Sequence, residues 1–239
     1  MYETIDYAES GDISTVTLRR SRINVAQLRE LERVLDHLED YGKTRVLVLR
    51  GHSDGIDFAD FDPREPMDIH GFNKWEKLVN RLERLEKITV AAADGPTVGG
   101  GFQLFLACDL RVCTTNASFA LPEVNLGFLP GMATFRLAKY VGLGHAKRII
   151  ISGASVSADE ALRLGLVDRV VTDLEGGITA AIQTIAAGNV VAATLARRLL
   201  NESYGAAVED AIGHFLAAQH RALNQSAFLE TLKKERKNS

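Results

Sequence analysis

The sequence predicts an α/β fold, and three observations support this prediction. A strand pattern at Ile13–Leu18, a helical pattern that follows Asn24 and a continuous apolar strand at Val46–Leu49 come in close succession, as at the start of a βα repeat. A second apolar run, Ile88–Ala93, has the length and β-branched content of a buried strand. From Leu174 onward the apolar residues recur almost wholly at helical spacing.

Length and composition narrow the class of protein. The 239 residues are 46% hydrophobic and 25% charged, with a net charge of −3, and a chain of this size buries roughly 70% or more of its extended surface. The acidic balance gives no reason to expect nucleic acid or a polybasic membrane patch. No apolar run reaches the ~20 residues of a membrane span, and residues 1–12 lack the basic and apolar regions of a signal peptide. We therefore expect a cytoplasmic protein without nucleic-acid or membrane partners.

The remaining elements can be assigned in chain order. A helix is expected after Asn24, with leucines at helical spacing, and a second amphipathic helix spans Phe72–Leu85. The stretch Gly51–Pro66 lies between the predicted strand at Val46–Leu49 and this second helix. It is rich in Gly, Asp and Pro and is predicted to be a loop. Further along, three helices and one strand are expected at Thr134–Tyr140, His145–Ile151, Ser157–Leu164 and Val167–Val171.

Few side chains suggest a metal or disulfide. The two cysteines, Cys108 and Cys113, are close in sequence and are expected to be free core thiols in a reducing compartment. The six histidines show no metal-ligand spacing, so no metal site is predicted.

The segment Ile88–Gly131 carries the residues with the strongest chemical signal. Three glycines, Gly99-Gly100-Gly101, open into a helical stretch at Phe102–Ala107. Glycines there let a backbone N–H approach a ligand closely, and a helix N-terminus favours an oxygen that becomes negative during a reaction. Glu123 has apolar neighbours, a setting that can suit a carboxyl group to proton transfer. Tight helix–strand packing for the glycines, and an exposed or capping carboxylate for Glu123, are the structural alternatives.

Two linked motifs in this segment resemble those of the crotonase (enoyl-CoA hydratase/isomerase) superfamily. They read GGGFQLFLACD at 99–109 and PEVNLGFLPG at 122–131, and the likeness continues through Leu137–Val171. The resemblance implies a crotonase-like ββα spiral core over residues 1–172 and a helical trimerisation region over residues 173–239. It also implies assembly as a homotrimer or hexamer.

The resemblance implies roles for individual residues. The superfamily's first oxyanion loop matches residues 52–57, in which Ile56 would offer its backbone N–H and Asp54 would lie near the thioester. Gly100 would supply the second N–H donor, opposite Ile56, and Glu123 would be the catalytic acid/base. The substrate-binding positions implied are Gln103, Asp54, Gly99, Pro130 and Gly131.

Gln103 departs from the pattern of the superfamily's hydratases, which usually carry a second glutamate at that position. Glutamine cannot accept a proton at neutral pH, although it can still hydrogen-bond a ligand or a water molecule. Efficient hydration is therefore less expected than a reaction that needs one carboxylate, such as double-bond isomerisation. A structural side chain facing the pocket wall is the alternative interpretation of Gln103.

The predicted function is enolate chemistry on an acyl thioester of coenzyme A or of an acyl carrier protein. Coenzyme A or phosphopantetheine would then be part of the substrate, and no tightly bound cofactor is implied. A second hypothesis is a polyketide-type crotonase that catalyses decarboxylation, carbon–carbon bond formation or dehydration, because the carboxymethylproline synthases share Phe-Gln at 102–103. A third is a catalytically weak partner subunit of such a synthase.

Overall fold

The computed structural model describes residues 2–19, 22–41, 43–51 and 68–238, with side chains described as far as residue 234. Two compact units are present, Met1–Ile182 and Gln183–Ser239, and the boundary between them falls inside a helix. The strands are β1 (Ile5–Ser10), β2 (Ile13–Leu18), β3 (Val46–Arg50), β4 (Ile88–Ala93), β5 (Pro96–Val98), β6 (Leu110–Thr114), β7 (Ser118–Ala120), β8 (Val156–Ser157) and β9 (Arg169–Val171). The α-helices are α1 (Val25–Asp40), α2 (Ile69–Arg84), α3 (Gly99–Leu106), α4 (Ala133–Ser152), α5 (Ala158–Arg163), α6 (Leu174–Ala186), α7 (Val190–Glu202), α8 (Val208–Leu223) and α9 (Ser226–Asn238).

Two sheets form the centre of the first unit. The larger sheet has the strand order β1-β2-β3-β4-β6-β9, in which β1 and β2 are antiparallel and the other pairs are parallel. The smaller sheet has the order β5-β7-β8, with β5 parallel to β7 and β7 antiparallel to β8. The predicted α/β class is therefore confirmed.

Capping residues account for where several helices begin. The Asn24 side chain accepts a hydrogen bond from Gln27 N at 2.9 Å and starts α1 as predicted. Asp68 accepts from Gly71 N at 2.8 Å, so α2 begins three residues before the predicted start at Phe72. Ser157 caps α5 by accepting from Glu160 N at 3.3 Å.

The glycine-rich segments differ from the prediction in two places. Helix α3 begins at Gly99 and not at Phe102, so the three glycines form its first turn. The two helices predicted at 134–151 are parts of one element, α4. This element is kinked at Gly142, which has the non-helical angles φ 73° and ψ 160°.

Five strands, β1, β5, β6, β7 and β8, were not assigned from the sequence, and β1 and β5 show two different reasons. In β1 only Ile5 is buried and most other positions are exposed, so the strand shows no apolar alternation. Strand β5 has only three residues and follows Asp94-Gly95, which reads as a turn. Strand β1 is held by an antiparallel hairpin with β2 across Gly11 and Asp12, whereas β5 pairs with β7, which lies beyond α3 and β6 in the chain.

Polar contacts inside the core tie the large sheet to the segment that enters β6. The Asp109 carboxylate accepts hydrogen bonds from Thr89 N at 2.7 Å and Thr89 Oγ1 at 2.8 Å, which joins β4 to the start of β6. Cys108 and Cys113 both lie in the core, as expected, and Cys108 Sγ donates to Leu104 O at 3.5 Å. Burial raises the pKa of the Cys113 thiol to about 12, so this thiol is a packing group in the native protein.

The second unit contains α7, α8 and α9. Helix α8 buries none of its residues, and it exposes an apolar stripe of Val208, Ile212, Phe215 and Leu216. The trimerisation expected of the C-terminal region stays a prediction. Within the described residues no single helix is long and apolar enough to cross a membrane, although α6 and α7 pass that test when they are taken together.

Candidate active site

The small sheet places Gly100 and Glu123 at one edge of the fold. Strands β5 and β7 run parallel, and Val98 at the end of β5 pairs with Ala120 at the end of β7. Helix α3 follows β5 directly, and a 3₁₀ helix, Pro122–Leu126, follows β7. Because parallel paired strands finish at the same edge, the first turns of both helices start side by side.

Gly100 lies in the first turn of α3, where backbone N–H groups have no acceptor within the helix. Val98 occupies the N-cap position, and no side chain caps the helix there. Gly99 has φ 55°, a conformation that favours glycine, and residues 99–101 are all buried. A buried, uncapped helix N-terminus is a suitable place for an N–H group that stabilises an oxyanion.

Glu123 is buried, with 1% of the residue exposed. Pro122 precedes it at the start of the 3₁₀ helix, and Gly127 ends the helix with φ 85°. Phe128 N donates to Glu123 O at 3.1 Å and Gly127 N donates to Val124 O at 3.2 Å, which fixes the backbone of this turn. The alternative in which Glu123 is an exposed carboxylate is therefore wrong.

Gln103 lies one helical turn after Gly100, on the same face of α3, and is 2% exposed. Its Oε1 accepts a hydrogen bond from Arg136 Nη1 at 3.3 Å. A guanidinium has only donors, so the amide oxygen points towards Arg136 and the amide N–H₂ points away from it. Gln103 therefore presents a donor at the end of its side chain.

Arg136 was not identified from the sequence as a site residue. It lies in the first turn of α4, has a side chain 4% exposed, and joins α4 to two acidic residues of α2. Nη1 donates to Glu76 Oε2 at 3.2 Å, and Nε donates to Glu83 Oε2 at 3.1 Å. Glu76 Oε1 also accepts from Met132 N at 3.0 Å, and Lys139 Nζ lies 3.9 Å from Glu83 Oε1. The signal available in the sequence was the spacing of Glu76 and Glu83, two turns apart on one helix face.

The two substrate-binding positions predicted in the second motif lie beside this cluster. Pro130 is buried and its carbonyl accepts from Ala133 N at 3.1 Å at the start of α4. Gly131 has φ 49°, and a Cβ there would lie 2.9 Å from Gln103 Nε2 and in hard contact with Glu76 Oε1. A side chain at position 131 would therefore require the ends of the Glu76 and Gln103 side chains to move.

Comparison with known proteins decides the family. The sequence matches the family model described as enoyl-CoA hydratase/isomerase over residues 8–238. The chain belongs to the enoyl-CoA hydratase/isomerase family. The resemblance to the crotonase superfamily is thereby confirmed, and so is the coarse prediction of an enzyme of this family with hydratase/isomerase-type activity on acyl-CoA.

Individual members of the family are similar over nearly the whole chain. The short-chain-enoyl-CoA hydratase of Clostridium acetobutylicum is 30% identical over 95% of both chains. The crotonyl-CoA hydratase of Syntrophomonas wolfei is 30% identical over 97% of both chains. The crystal structure of enoyl-CoA hydratase from Bacillus anthracis matches with a TM-score of 0.91 and 27% identity, over 99% of this chain and 97% of that one. The crotonase fold predicted from the two motifs is confirmed.

Two of the predicted site residues lie outside the part of the chain that the structure describes. Ile56 and Asp54 fall in the segment 52–67, outside the described residues, so their roles as oxyanion donor and thioester neighbour stay predictions. Among the residues described, no group of three His, Cys, Asp or Glu side chains could hold a metal ion.

The contact between Gly131 and its neighbours leads to a prediction about stability. Alanine at 131 must adopt the left-handed backbone and also displace Glu76 and Gln103, so Gly131→Ala is expected to lower the free energy of unfolding by about 2–4 kcal/mol. Gly127→Ala is the matched control, because Gly127 also has a positive φ but a Cβ there meets no atom within 4 Å. Its expected loss is about 1–2 kcal/mol, from the backbone alone. Equal melting temperatures for the two variants would contradict the packing described here.

Proposed function

We propose that the protein isomerises an enoyl-CoA double bond through a thioester enolate, with Glu123 as its acid/base. The Glu123 carboxylate removes a proton from C2 of a 3-enoyl thioester, and the C–H electron pair moves into the carbonyl to form a dienolate. The Gly100 N–H group donates to the oxygen that becomes negative. Protonation at C4 by Glu123 then gives the 2-enoyl thioester and restores the carboxylate, so no water or cofactor is consumed.

The observation that supports isomerisation over hydration is the amide at position 103. Gln103 lies one turn from Gly100 and its Oε1 is engaged by Arg136, so this side chain cannot remove a proton from water. The Glu76 carboxylate, which shares Arg136 with Gln103, accepts hydrogen bonds from Met132 N and Arg136. Glu123 is thus the one carboxylate assigned to proton transfer among the described residues of this site.

The contributions of the two groups can be estimated. A positioned general acid/base contributes typically 10²–10⁴-fold in rate, and loss of one oxyanion donor costs about 3–4 kcal/mol of barrier stabilisation. The buried setting strengthens both effects, because water does not screen the charge that develops on the carbonyl oxygen. The geometry supports such roles for Glu123 and Gly100 through the strand pairing that brings their turns together.

Hydration is a second candidate, and the names of the relatives favour it. Proteins 30% identical over nearly the full length are named short-chain-enoyl-CoA hydratase and crotonyl-CoA hydratase. Glu123 could then deprotonate a water molecule that the Gln103 amide holds in place. Decarboxylation, carbon–carbon bond formation and delivery by an acyl carrier protein stay predictions.

The experiment is turnover of a thioester panel in D₂O followed by mass spectrometry. With 3-enoyl-CoA we expect a 2-enoyl product without the mass of water, and with 2-enoyl-CoA we expect little 3-hydroxyacyl product. Loss of carbon dioxide from malonyl-CoA would favour the decarboxylation hypothesis. Hydration of the 2-enoyl substrate as fast as isomerisation of the 3-enoyl substrate would overturn the proposal.

Gln103→Glu provides a prediction within the same assay. A second carboxylate one turn from Gly100 would allow water to be activated, so the ratio of hydration to isomerisation is expected to rise about tenfold or more. The control is Gln183→Glu, the same change on the exposed surface of α6, which should leave the ratio unaltered. An unchanged ratio in Gln103→Glu would show that residue 103 does not decide between the two reactions.

A further inference from the structure

The Arg136 cluster fixes the orientation of Gln103. Arg136 contacts three side chains from two helices: Glu76 and Glu83 of α2, and Gln103 of α3. Its Nη1 group is shared between Glu76 Oε2 at 3.2 Å and Gln103 Oε1 at 3.3 Å. Turning the Gln103 amide over would bring its N–H₂ against the guanidinium, donor against donor, so the amide has one favourable orientation.

The result is an N–H donor that meets no acceptor in the described part of the chain. In residues 2–19, 22–41, 43–51 and 68–234, no group accepts a hydrogen bond from Gln103 Nε2, although the side chain is 2% exposed. Nε2 lies against Gly131, where a Cβ would be 2.9 Å away. Gln103 Nε2 is not among the fully buried side-chain atoms without a partner in these residues, so this donor still reaches space that a ligand or a water molecule can enter. A fixed donor one turn from Gly100 that opens onto such space points to an acceptor on a ligand.

The charges around this donor indicate what kind of acceptor it would meet. The positive charge of Arg136 is balanced by Glu76 and Glu83, and Lys139 lies beyond Glu83. The cluster therefore presents a neutral donor and no unpaired cation. Glu76 Oε1 and Gln103 Nε2 both lie beside Gly131. An anionic group on the ligand that approached Gln103 Nε2 would therefore also be repelled by the Glu76 carboxylate.

We propose that Arg136 is a positioning residue, and that it holds the Gln103 amide as a donor for a neutral oxygen acceptor, a carbonyl or hydroxyl group, on the acyl chain of the substrate. This inference rests on the proposed function, because it places the thioester carbonyl at Gly100. Gln103 follows Gly100 by one turn, so the acceptor lies on the acyl chain within a few carbons of the thioester. Arg136 itself does not touch the substrate.

The test measures equilibrium binding in a Glu123→Gln background, in which turnover is suppressed. Two matched ligand pairs differ by a ketone oxygen that can only accept: 3-oxobutyryl-CoA with butyryl-CoA, and 4-oxopentanoyl-CoA with pentanoyl-CoA. Titration calorimetry at pH 6 keeps the 3-oxo group in its neutral keto form. At least one ketone is expected to bind about tenfold more tightly than its partner. If neither ketone is preferred, the proposal is wrong.

Variants separate the donor from the residue that positions it. Gln103→Met removes the donor and should bring the preference close to one. Arg136→Lys should do the same, because a single ammonium cannot hold Gln103, Glu76 and Glu83 together. Loss of the preference in Gln103→Met but not in Arg136→Lys would overturn the positioning role, and survival of the preference in Gln103→Met would overturn the donor role.

A third variant tests the argument about charge. Glu76→Gln keeps the contact between Arg136 and Gln103 but leaves part of the positive charge unbalanced. Binding of malonyl-CoA, which carries a carboxylate in place of the ketone, is expected to improve about tenfold in Glu76→Gln. No improvement would contradict the neutral character of the donor. All these readouts are dissociation constants, so they can fail while isomerisation by the wild-type protein stands, and the reverse also holds.

Discussion

Glu123→Gln is expected to lower kcat for isomerisation of a 3-enoyl-CoA about 10³-fold. The substitution keeps the size of the buried side chain but removes its ability to accept and return a proton, and general acid/base groups contribute typically 10²–10⁴-fold. The Gly100 N–H group is unaffected, so KM for the thioester should change by less than about threefold. The measurement is the steady-state rate with purified variants of equal melting temperature.

The matched control for this loss is Glu86→Gln. Glu86 is exposed and lies in the turn between α2 and β4, so its neutralisation should leave kcat and KM unchanged. A Glu123→Gln variant that retains more than about a tenth of the wild-type kcat would contradict the assignment of Glu123, since it would show that another group moves the proton.

Arg136→Met is expected to lower the free energy of unfolding by about 3–5 kcal/mol, because it leaves the buried sides of Glu76 and Glu83 without their shared counter-charge. The side chains of these two residues are 21% and 15% exposed, so water can restore only part of the lost interaction. For a chain of this size the change corresponds to a fall in Tm of roughly 10 °C. Thermal denaturation followed by circular dichroism provides the measurement.

Arg45→Met is the control for an arginine whose ion pair is exposed. Arg45 Nε lies 3.7 Å from Asp12 Oδ2, and its side chain is 62% exposed. Such pairs contribute about 0–1 kcal/mol, so the Tm should fall by no more than a few degrees. If Arg136→Met and Arg45→Met gave the same small shift, the cluster around Arg136 would not contribute to stability as inferred.

Local patterns predicted the regular elements that bury an apolar face. The leucines of α1 and the continuous apolar runs of β3 and β4 predicted these elements correctly. Burial of one helix face produces apolar residues at helical spacing, and burial of both strand faces produces a continuous apolar run. Strands β1 and β5 leave no such period, since one is mostly exposed and the other has three residues. Strand β1 is paired with β2 in a local hairpin, whereas the pairing of β5 with β7 spans α3 and β6 and depends on the tertiary fold.

The site could be predicted only where chemistry and motif coincide. The glycine run and Glu123 stand out because their residue types suggest oxyanion stabilisation and proton transfer. Gln103 stands out because it differs from the superfamily's usual glutamate. Arg136 does not, because its meaning arises when α2, α3 and α4 meet: its partners Glu76, Glu83 and Gln103 are 60, 53 and 33 positions away in sequence.

The most direct test of the central proposal is a crystal structure of the Glu123→Gln variant with a bound 3-enoyl-CoA. We expect a thioester carbonyl oxygen about 2.7–3.1 Å from Gly100 N, with residue 123 facing C2 and C4 of the acyl chain. A thioester carbonyl bound away from the first turn of α3, or an acyl chain that does not pass residue 123, would contradict it.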